Sequence, residues 1–271
     1  MSTWYWTGGA NDNTFGTAAN WNAARDGSGA AGPPIGGDSI VIENTNQTIN
    51  GVATGLSLVD VTISNGGNIG SAGTPLTMQI TGTLTIRTSA GTHYIGATAA
   101  TAIVTTQIKQ TGSGKVYLTG PGTFTTILIG SNCQVDISTT AAFTTLKASG
   151  GSTDIGNHAT DITLLEVHGG SVRCRRPIVT AHITGNLISE GVDAAVTTAN
   201  VYANGKHTNW TSSTVTTSDV RPGATASAKG SPYAATITNR TSYEGSKNYI
   251  DSGNVTAGAP TFIGDTSGAT A

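Results

Sequence analysis

The chain has 271 residues and a mass of 27.2 kDa, enough for one large domain or two modest ones, and carries a formal net charge of −2 with a pI near 6.2. Only 10% of its residues are charged, against roughly 25% in an average globular protein, so general binding to nucleic acid or an anionic membrane is not expected. Glycine is abundant at 37, but net charge is low and Ile, Val and Thr recur in alternation, which argues against a disordered chain.

Residues 1–37 form an opening piece that holds Trp4, Trp6 and Trp21, three of the four tryptophans, together with Tyr5 and Phe15. These aromatics sit among Gly8, Gly9, Asn11, Asn13, Asn20 and Asn22, which are turn residues. A carbohydrate-binding platform is one reading. A cap is preferred, because the segment directly precedes the first repeat, and the end of a repeat array exposes apolar core and an unpaired strand edge. Pro33, Pro34, Gly36, Gly37 and Asp38 then turn the chain into a first strand over 39–43.

From 38 to 205 the chain repeats itself. Phe124-Thr125-Thr126-Ile127 returns as Phe143-Thr144-Thr145-Leu146, Ile162-Thr163-Leu164-Leu165, Ile178-Val179-Thr180-Ala181 and Val196-Thr197-Thr198-Ala199. A period of about 20 residues with Gly, Ser and Asn turns, and no room for helices, predicts an all-β solenoid: a single-stranded, right-handed parallel β-helix. About nine coils of roughly 16–20 residues are expected, giving a rod about 40 Å long at a strand spacing near 4.8 Å. Residues 88–101, with His93, Tyr94 and Ile95, read as a longer excursion between coils.

The step from Phe124 to Phe143, applied along the chain, places Lys147 against Glu166, Asp154 against Arg173, Leu146 under Leu165 and Ile155 under Cys174. Inward positions stay apolar and outward ones polar, as a fixed register demands. Beyond Gly205 the pattern fades. Residues 206–271 read as a linker or a broken coil, with Arg221-Pro222-Gly223 in it, followed by an irregular β arm. Tyr233, Ile237, Tyr243, Tyr249, Ile250, Phe262 and Ile263 mark the arm, and 264–271 read as frayed.

Catalytic signals are sparse. Glycoside cleavage typically needs two carboxylates facing one cleft, and the outward candidates are Asp60, Asp136, Asp154, Asp161 and Glu166. Asp136, Asp154 and Arg173 form one column, and Lys147, Glu166 and His182 another; both read better as charge ladders than as acid–base machinery. No metal site, cofactor or catalytic residue is expected. His93, His158, His168, His182 and His207 lack ligand spacing, and Gly150-Gly151 and Gly169-Gly170 read as repeat turns, not phosphate loops. The two cysteines, Cys133 and Cys174, read as inward core fillers, too few for a disulfide framework. Sequons at Asn46, Asn209, Asn239 and Asn254 are expected by chance in so Thr-rich a chain. The only basic cluster is Arg173, Arg175 and Arg176, ahead of Pro177.

Trp6-Thr7-Gly8-Gly9, Asn20-Trp21 and Pro34-Ile35-Gly36-Gly37-Asp38, the last with one extra glycine, resemble the leading segment of bacterial and phage β-helix proteins. The motif is shared by adhesins, tailspikes and capsid-surface proteins. With no signal peptide or apolar membrane span in view, a soluble protein made in a bacterial cytoplasm and destined for a virion is expected. The chain looks like a non-enzymatic phage structural protein, similar to trimeric β-helix capsid decoration (cement) proteins. That resemblance implies a homotrimer docked on the major capsid protein, with no nucleic acid or membrane partner. Its contacts would come from Trp4, Trp6 and Trp21 or from Tyr243, Tyr249 and Phe262; the turn of Arg173, Arg175 and Arg176, which has no aromatic interleaving, reads separately as a contact to an acidic protein neighbour rather than a phosphate or nucleic-acid site. The alternatives are a tail fibre or tailspike module that binds or cleaves surface polysaccharide, and a β-helix adhesin.

Overall fold

Each apolar-Thr-Thr-apolar motif folds as one strand that turns a corner. In Phe143–Ala148 the side chains of Phe143, Leu146 and Ala148 are buried, whereas Thr144 and Thr145 both face outward. Two consecutive outward residues break the period of two, so the backbone bends there. The register carries the same mark: Phe143 lies opposite Ile162, and pairing resumes only at Thr145 opposite Leu164. Ile162–Val167, Ile178–Ile183 and Val196–Val201 repeat this burial pattern without change.

The computed structural model describes residues 2–43, 48–49, 56–64, 66–98, 102–141, 143–228, 232, 234–249 and 255–263. Asn46, Asn254, Tyr233, Ile250 and 264–271, singled out above, lie outside the described residues. The chain divides into two units, Met1–Ala142 and Phe143–Ala271.

In the first unit one sheet stacks Thr3–Trp6, Ser39–Glu43, Val61–Ser64, Gln79–Arg87, Ala102–Gln110 and Thr123–Ile129, all parallel. A second sheet stacks Leu76–Thr77, Thr92–Gly96, Lys115–Thr119 and Gln134–Ile137, also parallel. The second unit repeats the plan. Phe143–Ala148, Ile162–Val167, Ile178–Ile183, Val196–Val201, Thr214–Val220 and Ala235–Tyr243 form one face, on which Val255–Ala257 and Pro260–Ile263 both pair with Ala235–Tyr243. Ser152–Ile155, Ser171–Cys174, Asn186–Gly191, Lys206–Thr211, Thr225–Ser227 and Lys247–Tyr249 form the other. Among the described residues the only helix is a short 3-10 turn, Ala18–Asn20. Both units are therefore β-solenoids of the parallel β-helix kind.

Three expectations need correction. Residues 88–101 are not an excursion as far as they are described: Thr92–Gly96 is a regular strand with His93 and Ile95 inward and Tyr94 outward. Coil length exceeds the expected range in the first unit, where Val61 lies opposite Leu84. The coils also do not end at Gly205. Val215 lies opposite Val196 and Ser218 opposite Ala199, and Ile237 and Arg240 follow in the same two columns. Hydropathy fades there because the inward fourth position becomes Ser218 and then Arg240, while the backbone register persists.

The aromatic opening piece is built around Trp21, which is fully buried. Trp6 and Phe15 meet its ring edge-on at 5.2 and 4.9 Å, and its Nε1 donates to the Phe15 carbonyl at 2.7 Å. Trp21–Asn22 lies antiparallel on Thr3–Trp6 and ends that sheet with a two-residue strand, a short edge of the kind that resists further pairing. Asp38 pins the chain start, accepting bonds from Ser2 N at 2.8 Å and Trp4 Nε1 at 2.9 Å. Burial pushes its carboxyl up, but these bonds and one from Ile35 N hold it below the usual carboxylate value.

Candidate functional site

Several outward charges of the second unit pair with one another. Lys147 Nζ lies 2.7 Å from Glu166 Oε2, as their register predicts, and His168 Nε2 lies 3.6 Å from the same oxygen. The Lys147 hydrogen bond holds the Glu166 carboxyl below its ordinary value, against the opposing effect of burial. His182 lies opposite Glu166 in the sheet, but its ring packs edge-on against Tyr202 at 5.9 Å. Asp154 lies opposite Arg173, yet the ion pairs are offset: Arg175 Nη1 reaches Asp154 Oδ1 at 2.6 Å, and Arg173 Nε turns to Glu190 Oε2 at 3.1 Å. Arg175 Nε also approaches Glu190, at 3.5 Å. The long arginine stems let each guanidinium choose its acid independently of its Cα partner.

Arg176 is not part of this surface. It is 1% exposed, its guanidinium lies 5.3 Å from the Phe143 ring centroid, and Nε donates to the Gly156 carbonyl at 3.2 Å. Burial pushes its pKa down. The expected contact cluster of three arginines thus loses Arg176 to the core, and the other two are paired with acids.

In the first unit Asp136 pairs with Lys115 at 3.4 Å, and Lys115 lies over the Tyr117 ring, 4.6 Å from its centroid. Tyr117 stacks on Tyr94 at 4.5 Å with the planes 8° apart, a flat, half-buried aromatic step on the outward face. Asp60 accepts from Thr83 N at 2.8 Å. Among the described residues no three His, Cys, Asp or Glu side chains come together as metal ligands. Cys133 and Cys174 are free and buried, as expected. Burial pushes the Cys174 thiol up to about 12.

Of the aromatic contact candidates, Trp6 and Trp21 are buried and therefore corrected to core residues, while Trp4 is half-buried against Asp38. Tyr243 lies under the Arg221 guanidinium at 4.4 Å. Tyr249 and Phe262 remain exposed, at 46% and 39%, with Ile263 beside Phe262 at 47%.

Sequence reasoning missed a polar core in the last coils. One inward column runs Leu146, Leu165, Ala181, Ala199, Ser218, Arg240. A second runs Ile155, Cys174, Ser189, Asn209. A third runs Val172, Leu187, His207, Ala226, Asn248. His207 Nε2 and Ser189 Oγ are 3.0 Å apart, and burial lowers the His207 pKa to about 4, so the ring is neutral at pH 7. Extending the Thr-Thr register to 215 and 237 is the signal that would have found this core.

No protein-family model, curated protein or solved structure gives a significant match to this chain. The fold alone defines its class, the parallel β-solenoids.

Proposed function

We propose that the protein is a non-enzymatic structural component of a bacteriophage virion, a capsid decoration (cement) protein that trimerises and docks on the capsid shell. The observation that carries this reading is the pairing of outward charges between coils. Lys147 with Glu166, Asp154 with Arg175 and Arg173 with Glu190 leave no pair of free carboxylates facing a common space among these residues. The exposed Tyr249, Phe262 and Ile263 supply apolar area of the kind that a subunit interface buries. Size-exclusion chromatography with light scattering tests the trimer: a mass of three chains is expected, reduced to one in Phe262→Ser/Ile263→Ser. A persistent wild-type monomer overturns it.

The Tyr94–Tyr117 step supports a second reading, a tail-fibre module that binds surface polysaccharide, because flat aromatic faces stack on sugar rings. Glycan-array binding lost in Tyr117→Ala would favour that reading over the first.

A further inference from the structure

The polar core of the second unit holds a partly open cavity that leaves about 10 Å³ for the centre of a water-sized sphere, lined by Arg240, Asn209, Ser218 and His207 among others. We propose that this cavity is a binding site for a single small monovalent anion of the halide class, held by the Arg240 guanidinium and the Asn209 amide.

The charge balance calls for an anion. Arg240 is 8% exposed, occupies an inward position that earlier coils fill with Leu146 and Leu165, and has a buried Nε without a hydrogen-bond partner. Among the described residues no carboxylate lies within salt-bridge distance of it; the nearby Asp219 faces outward and pairs with Arg221 at 2.9 Å. A buried cation without a counter-charge is costly, and a neutral water solvates it without cancelling it. His207 adds no second positive charge, because it is neutral at pH 7.

The donors converge from both faces of the coil. Arg240 and Ser218 come from one sheet and Asn209 from the other, and all three line the cavity. Asn209 is 3% exposed with both amide atoms unpartnered, so its NH2 is available to the bound ion. Ser218 and Ala199, small where earlier coils carry leucine, leave the room that the arginine and its ion require.

Space and charge together set the ligand class. The pocket leaves the centre of a water-sized sphere about 10 Å³ to move in, which admits a chloride-sized ion, and a single guanidinium calls for a single negative charge.

The test uses the full chain. Crystals soaked in sodium bromide should show an anomalous peak between Arg240 and Asn209; a cavity that holds only water, or bromide only elsewhere, overturns the proposal. In parallel, thermal unfolding is followed in sodium chloride against sodium gluconate at fixed ionic strength. A ligand that binds only the folded state should raise Tm by about 3 °C per tenfold chloride above its Kd. That dependence should vanish in Arg240→Leu, and equal Tm values in the two salts for the wild type count against the site. Should Arg240→Leu not fold, the bromide peak in the wild-type protein decides.

Discussion

Arg175, not Arg173, holds Asp154: its Nη1 lies 2.6 Å from the carboxylate, although Arg173 is the residue opposite Asp154 across the sheet. Arg175 also reaches Glu190 at 3.5 Å, so it bridges two acids, whereas Arg173 contacts Glu190 alone. Exposed single ion pairs contribute little, but a guanidinium shared by two carboxylates leaves both weakened when removed. Arg175→Ala should therefore destabilise the protein by about 1 kcal/mol, and Arg173→Ala by less than about 0.5 kcal/mol. Urea denaturation of the two variants checks the order, and a larger loss for Arg173→Ala would reverse the assignment.

The cysteines give a direct probe of the core. Burial holds the Cys174 thiol near 12 and raises that of Cys133 as well, so neither is a thiolate at pH 8. Ellman's reagent at pH 8 should find no reactive thiol in the folded protein and both in 6 M guanidinium (about twice the concentration that unfolds typical small domains). Rapid labelling of either residue in the native state would contradict its place in the core.

What the sequence disclosed was periodicity, and it disclosed it wherever the inward side chains are apolar. Phe143, Ile162, Ile178 and Val196 announce their strands because burial and hydropathy coincide there. Lys147 and Glu166 were legible as a pair for the same reason: Cα register fixes short-range neighbours. Hydropathy misleads where inward residues are polar. Ser218 and Arg240 occupy core positions that a hydropathy pattern assigns to a surface linker. Register misleads where a long side chain leaves its own column, as Arg173 does, and where an arginine turns inward over an aromatic ring, as Arg176 does at Phe143. Trp6 and Trp21 read as contact residues because bulk and position near a chain end do not reveal that the opening segment folds over its own aromatics.

His207 should make stability depend on pH in a defined window. Burial depresses its folded pKa to about 4, below the ordinary value of 6.5, so the unfolded chain binds more protons between those limits. Its contribution is fully present above pH 6.5 and is lost progressively as pH falls toward 4, up to about 3 kcal/mol. The Glu166 and Asp38 carboxyls, both held below their ordinary values, add their own losses at lower pH. Denaturation midpoints from pH 7.5 to 4.5 should fall for the wild type and much less for His207→Gln. Parallel curves for the two proteins would show that another group governs this window.

Two glycines of the second unit separate backbone strain from coil stacking. Gly170 and Gly191 both have positive φ, +66° and +102°, so an L side chain is strained at either. Around Gly191 there is open space for a Cβ, and Gly191→Ala should cost about 1–2 kcal/mol from the backbone alone. A Cβ on Gly170 would instead drive into the Gly151 carbonyl of the coil beneath. That oxygen cannot retreat freely, because it accepts the Ser171 N–H at 2.9 Å, the bond that starts the next strand pairing. Gly170→Ala should therefore cost about 3 kcal/mol or more, the backbone strain plus a broken inter-coil bond. Chemical denaturation of the pair measures the difference, and equal losses would mean that the coils part at this turn without losing the Ser171 bond.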